Sequence, residues 1–245
     1  MKVVIIILVV ALKCQAVKFP HSFKTCKRSD PDFKKCVKEA AEYNIHQLVH
    51  PFKDLKLPGL KPLLIPTLVI GSGKRAVAVE QRFHNCNLHG FEHISFQKFE
   101  FDFEKNTLNF DSLISEVTKK CDYQLSGRVL LLPIQGEGES TVVLKNVKIA
   151  GYVKYETVKR SGKTYLKFVD HRISLDVSHV YFHFDNLFNG DKALGDNINT
   201  VLNDNWREVF EDVKSGYSEV MSEIIQSLLN NFWSVVSLED AFGEN

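Results

Sequence analysis

The side chains in this sequence that could do chemistry are its cysteines, three spaced histidine pairs, an acidic cluster and a short glycine-rich run. His46 and His50 would share one helix face at i, i+4, which is metal-ligand spacing, but no His-Glu-x-x-His pattern supplies a carboxylate beside them. His89/His93 and His179/His183 repeat the spacing in segments that read as strands, where it only puts both rings on one face. Gly71-Ser72-Gly73-Lys74 is too short for a phosphate-cradling loop, and no Gly-x-Ser-x-Gly nucleophile elbow occurs. Glu208, Glu211 and Asp212 fall on the wet face of a helical pattern. No catalytic constellation, cofactor site or metal site emerges, so the chain reads as a non-enzyme.

The cysteines point to a compartment. Lys2 precedes an unbroken apolar run, Val3 to Leu12, and Cys14-Gln15-Ala16 places small residues for cleavage after Ala16. The run is about half of the roughly 20 residues a membrane span needs, so residues 1–16 read as a secretory signal peptide and 17–245 as a single extracellular domain. Cleavage removes Cys14 and leaves Cys26, Cys36, Cys86 and Cys121 in an oxidising setting where pairing is expected. A bridge between Cys26 and Cys36 would tie an N-terminal arm to a helix start, with Asp30 as N-cap and Pro31 as first helical residue. Closing such a loop is worth roughly 3 kcal/mol. Cys86 and Cys121 read equally as a second bridge or as buried thiols.

Several elements must position these groups. Phe33, Val37, Ala40, Ala41, Ile45 and Leu48 give a helix from Pro31 to about His50, ended by Pro51. Phe52 to Pro66 is proline-rich and extended. From Leu68 to Phe184 the period changes to two, with turns expected at Gly71-Ser72-Gly73, Lys105-Asn106, Gly136-Glu137-Gly138 and Arg160-Ser161-Gly162-Lys163. Val143 to Tyr155 forms one long antiparallel strand. Parity slips near Ser178-His179, and again between Phe96 and Phe99, so the sheet must bend. After Asp191, a plausible N-cap by residue type, apolar residues recur every three or four positions as far as Trp233, which predicts one helix of about forty residues, near 60 Å long. Wrapping a long curved sheet around that helix covers both apolar faces and makes the molecule elongated.

Composition agrees with a packed domain: 44% hydrophobic and 25% charged, with 18 Phe against 2 Met and 2 Trp. Removing Lys2 and Lys13 from 31 basic side chains, against 30 acidic ones, leaves the mature chain nearly neutral, which argues against nucleic acid as a partner. The rings fall mainly on strands and suit the wall of an enclosed space. Candidate lining residues are the inward-parity Val143, Val147, Ile149, Val153, Phe182 and Phe184, with Val209, Phe210 and Val213 from the helix.

Cys26-Lys-Arg-Ser-Asp-Pro-Asp-Phe-Lys-Lys-Cys36, Gly127-Arg-Val-Leu-Leu-Leu-Pro-Ile-Gln-Gly-Glu-Gly138, His183-Phe-Asp-Asn-Leu-Phe-Asn-Gly-Asp-Lys-Ala-Leu-Gly195 with Asn203-Asp-Asn-Trp206, and Ser237-Leu-Glu-Asp-Ala-Phe242 together resemble the insect takeout and juvenile-hormone-binding family, relatives of the tubular lipid-binding proteins. The resemblance implies an α+β fold with a long C-terminal helix wrapped by a strongly curved antiparallel sheet, an internal hydrophobic tunnel, and the Cys26 to Cys36 disulfide. It further implies a monomeric secreted carrier of a juvenile-hormone-like terpenoid, fatty acid or related lipid, linked to feeding, circadian or chemosensory physiology. A cell-surface receptor is a candidate second partner, and no stable membrane insertion is expected. Two departures stand out: Pro66-Thr67-Leu68 replaces an expected Asp-Pro-Leu, and Cys86 and Cys121 match no pair of the takeout-type members. The alternative is a secreted interaction or signalling protein whose tunnel is vestigial; a lipid hydrolase or transferase is a third reading.

Overall fold

The computed structural model describes residues 19–71 and 76–243, so the expected signal peptide, Cys14 and most of the Gly71-Ser72-Gly73 turn lie outside the described residues. Helix α1 (Phe33–His46) is followed by strands β1 (Leu63–Ile70), β2 (Val77–His89), β3 (Ser95–Asp102), β4 (Thr107–Val129), β5 (Leu132–Arg160), β6 (Lys163–Asp176) and β7 (His179–Phe184). Helices α2 (Lys192–Asp204), α3 (Trp206–Trp233) and α4 (Leu238–Phe242) complete the chain. The strands form one antiparallel sheet of order β1-β2-β4-β5-β6, with β3 continuing along β4 and β7 continuing along β5.

The sheet carries a crease. Inward parity inverts along β4 between Ile114 and Val117, and along β5 between Leu144 and Val147. In the same band β2 gives way to β3 through Gly90, and β6 gives way to β7 at Val177-Ser178. Asn146 takes up the reversal with a φ of 49°, and its side-chain amide donates to Ser178 Oγ at 2.9 Å. The Ser178 N–H donates to the Lys145 carbonyl at 2.9 Å, and Lys145 pairs with Glu116 across the band. The slip expected near Ser178-His179 is therefore one end of a fold line crossing the whole sheet. The slip in the Phe96 to Phe99 run is a register shift between Phe96 and Lys98.

The crease lets both sheet margins reach α3. Ile70 of β1 approaches so closely that a Cβ on Gly216 would lie 3.1 Å from its side chain, while β6 lies against α3 on the opposite side. The outer edge of β6 and β7 is finished by amide side chains. Asn203 accepts from the Phe182 N–H at 2.9 Å and donates to its carbonyl at 2.8 Å. Asn199 does the same to Phe184 at 3.0 Å each way, and Asn230 to Phe168 at 2.8 and 3.0 Å. Each amide copies a neighbouring strand's peptide group, and this covers an edge that would otherwise invite pairing with another chain.

Several expectations change. The forty-residue helix is two helices. Asn205 leaves helical geometry at φ −111°, its side-chain amide donating to the Val201 carbonyl at 2.8 Å and crowding the backbone N–H that reaches the same oxygen at 3.1 Å. The bend lets α2 follow β7 while α3 follows β6. Asp191 does cap α2, accepting from the Leu194 N–H at 3.1 Å. Helix α1 begins at Phe33 because Asp30 spends its carboxylate on the Asp32 N–H in a preceding turn. It stops at His46, where the chain swings off axis so that the Leu48 carbonyl accepts from Leu60. The proline-rich stretch is not wholly extended: Lys53–Leu55 form a 3-10 turn closed by Phe52 and Leu57. Gly136 and Gly138 lie inside β5, not in a turn; the hairpin reverses at Leu130-Leu131. The glycines are needed because residues 185–187 press on that strand, and a Cβ at Gly136 would sit 3.0 Å from Leu187 Cα. Asp212 is not a solvated acid, since it accepts from the Val77 N–H at 2.7 Å and secures the start of β2.

Replacing Asn203 with Leu strips two hydrogen bonds from a partly buried strand edge and should lower unfolding free energy by about 2–4 kcal/mol in chemical denaturation. A loss below about 0.5 kcal/mol would show that the edge needs no such partner.

Candidate ligand-binding tunnel

Two chambers lie between the sheet and α3 on the α1 side of the crease. The first, about 240 Å³, is walled by the arm Phe19–Cys26, the apolar face of α1, Phe99 and Phe101 of β3, the end of α3 and Phe242 of α4. The second, about 160 Å³, continues inward between Phe96, Leu108, Phe110 and Ile149 of the sheet and Met221 to Leu229 of α3. Ile45, Leu60, Phe99, Leu228 and Leu229 belong to both walls, so the chambers adjoin. Space survives there because α1 presents Ala40 and Ala41 where larger side chains would meet α3, and because rings stand edge-on, as in Phe101 against Trp233 at 5.5 Å.

The outer chamber wall is a strap. Cys26 and Cys36 are bonded with Cα atoms 5.9 Å apart, which fixes the arm to the first turn of α1. Eight residues beyond Cys36 along the helix, Asn44 donates to the Lys24 carbonyl at 2.9 Å and accepts from its N–H at 2.8 Å. Phe19 and Phe23 hang from this strap over the cavity. The walls offer little polarity, as the Ser112 hydroxyl is spent on the Ile149 carbonyl at 3.0 Å.

Beyond the crease the interior is solid. Cys86 and Cys121 form a second disulfide linking β2 to β4, both sulfurs buried. The same stretch of the sheet buries Phe83, Val117, Lys119, Val142, Leu144 and Val180. A small cavity of about 30 Å³ lies on the far side. Burial pushes the Tyr217 phenol far above its usual range, and that of Tyr123, which donates to the Asp185 carbonyl, up to about 12.

Of the residues expected to line the tunnel, Ile149 is in the wall of the second chamber. Phe182, Phe184, Val209 and Val213 surround the small far cavity. Val147, Val153 and Phe210 are buried but stand in neither chamber wall, and Val143 is half-buried on the other face of β5, paired with the exposed Tyr181. The parity inversion at Asn146 is what turns Val143 away: Val143 and Val147 share parity in the sequence but not a face. The chamber walls come instead from the α1 face, the arm, β3 and the last turns of α3. Their signal in the sequence was the apolar helix face carrying adjacent alanines, opposite a phenylalanine-rich strand. The histidines have other duties: the His46 ring bonds the Ile94 carbonyl at 2.9 Å, and His179 packs on Tyr181 and on Trp206 beside the Asn205 bend.

Residues 3–243 match the family described as haemolymph juvenile hormone binding protein (JHBP). Similar proteins include the circadian clock-controlled protein daywake of Drosophila melanogaster, 26% identical over 234 residues, covering 91% of this chain and 88% of that protein. Its Drosophila yakuba counterpart is 25% identical with the same coverage. Among solved structures, Takeout 1 of Epiphyas postvittana superposes with a TM-score of 0.77 at 26% identity, over 88% of this chain and 97% of the other.

Ala41→Trp should fill the first chamber and weaken binding of a long-chain fluorescent lipid at least about tenfold, with stability changed by less than about 1 kcal/mol. Val142→Trp, placed in the solid half, should instead cost stability by about 1–3 kcal/mol through overpacking. The reverse pattern in paired titration and melting experiments would relocate the site.

Proposed function

The chain belongs to the haemolymph juvenile hormone binding protein family, and from that premise we propose that it is a secreted single-domain carrier of one elongated apolar molecule. The observation that carries the reading is the pair of adjoining chambers walled by aliphatic and aromatic side chains under a strap fastened to α1. Cleavage after Ala16 and export fit the two disulfides, which form in oxidising compartments.

Binding works by desolvation. A chain of about a dozen methylenes moved from water into such a wall gains roughly 10 kcal/mol at about 0.8 kcal/mol each, before the cost of association. Micromolar to nanomolar affinity follows without a strong polar contact. Selectivity then rests on chamber length and on the few polar groups a ligand head can reach. Juvenile-hormone-like terpenoids and fatty acids have the right form. The clock-controlled Drosophila relatives support a tie to daily rhythm, with feeding and chemosensory roles as further settings.

Native protein purified from its source, denatured and extracted into organic solvent should release close to one equivalent of an apolar chain molecule by mass spectrometry. A protein recovered empty that also binds nothing from a panel of terpenoids, fatty acids and esters would favour the interaction-protein reading. Turnover of a loaded ester would favour an enzyme.

A further inference from the structure

The inner face of β4 carries one charge-bearing side chain with no evident structural reason to be there. Lys119 stands between Val117 and Cys121, 3% exposed, at the inner end of the solid region next to the crease. Its side-chain nitrogen has no hydrogen-bond partner, and it rests 3.1 Å from the centroid of the Phe83 ring. Burial alone holds its pKa well below the ordinary lysine value, with no carboxylate among the described residues close enough to act on it. A methionine or leucine would pack there without that cost.

Lys119 also lies within side-chain reach of the ligand space. Leu63 of the second chamber wall is paired with Leu88, and Leu88 is paired with Lys119, so the lysine backbone lies two strand spacings, about 10 Å, from that wall. The flexible four-carbon stem can leave Phe83 and swing along the inner face toward Leu88. Of the other polar side chains at the chambers, Ser112 is engaged with Ile149, Asn44 with the Lys24 backbone and the Lys24 ammonium with the Tyr43 ring, while Thr25 sits on the exposed outer arm.

Resting on the carrier reading above, we infer that Lys119 is the head-group anchor of the tunnel and that its ligand is a long-chain carboxylic acid. The acid enters protonated and gives its proton to the neutral amine. One O–H bond breaks, one N–H bond forms, and the resulting carboxylate and ammonium pair inside an apolar wall, where neither would be stable alone. An ester of the same chain gains the same desolvation but no ion pair.

The test uses the mature full-length chain with hexadecanoic acid carrying a ¹³C-labelled carboxyl group, and methyl hexadecanoate. Wild type should bind the acid about tenfold or more tighter than the ester, and Lys119→Met should bind the two alike, with ester affinity retained. In wild type at neutral pH the bound ¹³C carboxyl resonance should sit at the carboxylate position, and in Lys119→Met at the protonated-acid position. The wild-type spectrum stands as evidence even if the variant fails to fold. A protonated-acid resonance in wild type, or acid preference that survives in Lys119→Met, overturns the anchor while leaving the carrier intact. Failure of wild type to bind either molecule overturns both.

Discussion

The structure depends on how one sheet edge is paired. A sheet whose central strands run 23 and 29 residues exposes long rows of N–H and C=O groups at its margins, and these must find partners or recruit another chain. Here the partners are carboxamides on the C-terminal helices. Asn199 and Asn203 serve β7 and Asn230 serves β6, each giving and taking one hydrogen bond as a strand would. Spacing the acceptors along two helices fixes which helix face meets the sheet. That in turn fixes which residues of α3 look inward, so the composition of the tunnel wall follows from an interaction outside it.

Curvature is the second consequence. The sheet can touch α3 with both margins only if it folds, and the fold line is written in local chemistry: a left-handed asparagine, a serine bridging two strands and an ion pair between neighbours. The line divides the interior. On one side, small residues on α1 and edge-on rings leave two chambers; on the other, a buried disulfide and branched aliphatic side chains fill the space. Close packing is the default state of a protein interior, so the chambers mark where the chain withholds volume. A lysine at the boundary between the two halves gives the interior a polar end.

Much of this was legible. Period-two segments, a helical pattern after Asp191 and the paired N-terminal cysteines are local signals, and local signals survive in a string of residues. The misreadings are equally physical. Gly136 and Gly138 looked like a turn, but their lack of side chains serves residues 185–187, fifty positions away. Asn205 breaks a pattern that apolar spacing alone carries straight through, because hydrophobic periodicity does not register a side chain competing for its own helix carbonyls. Asp212, grouped with solvated acids by its neighbours, is claimed by the first N–H of β2.

By itself, the sequence determined the main element types, the curvature and the wrapping of helix by sheet, since these depend on repeat periods and composition. Tertiary structure alone decided where the empty space lies. Parity fixes an inner face only until the next bulge, and at Asn146 the two halves of a single apolar series part, Val143 outward and Val147 inward. A cavity is a deficit of volume summed over elements that meet only after folding. Its position between α1, β3 and the end of α3 became readable only once those elements shared a wall.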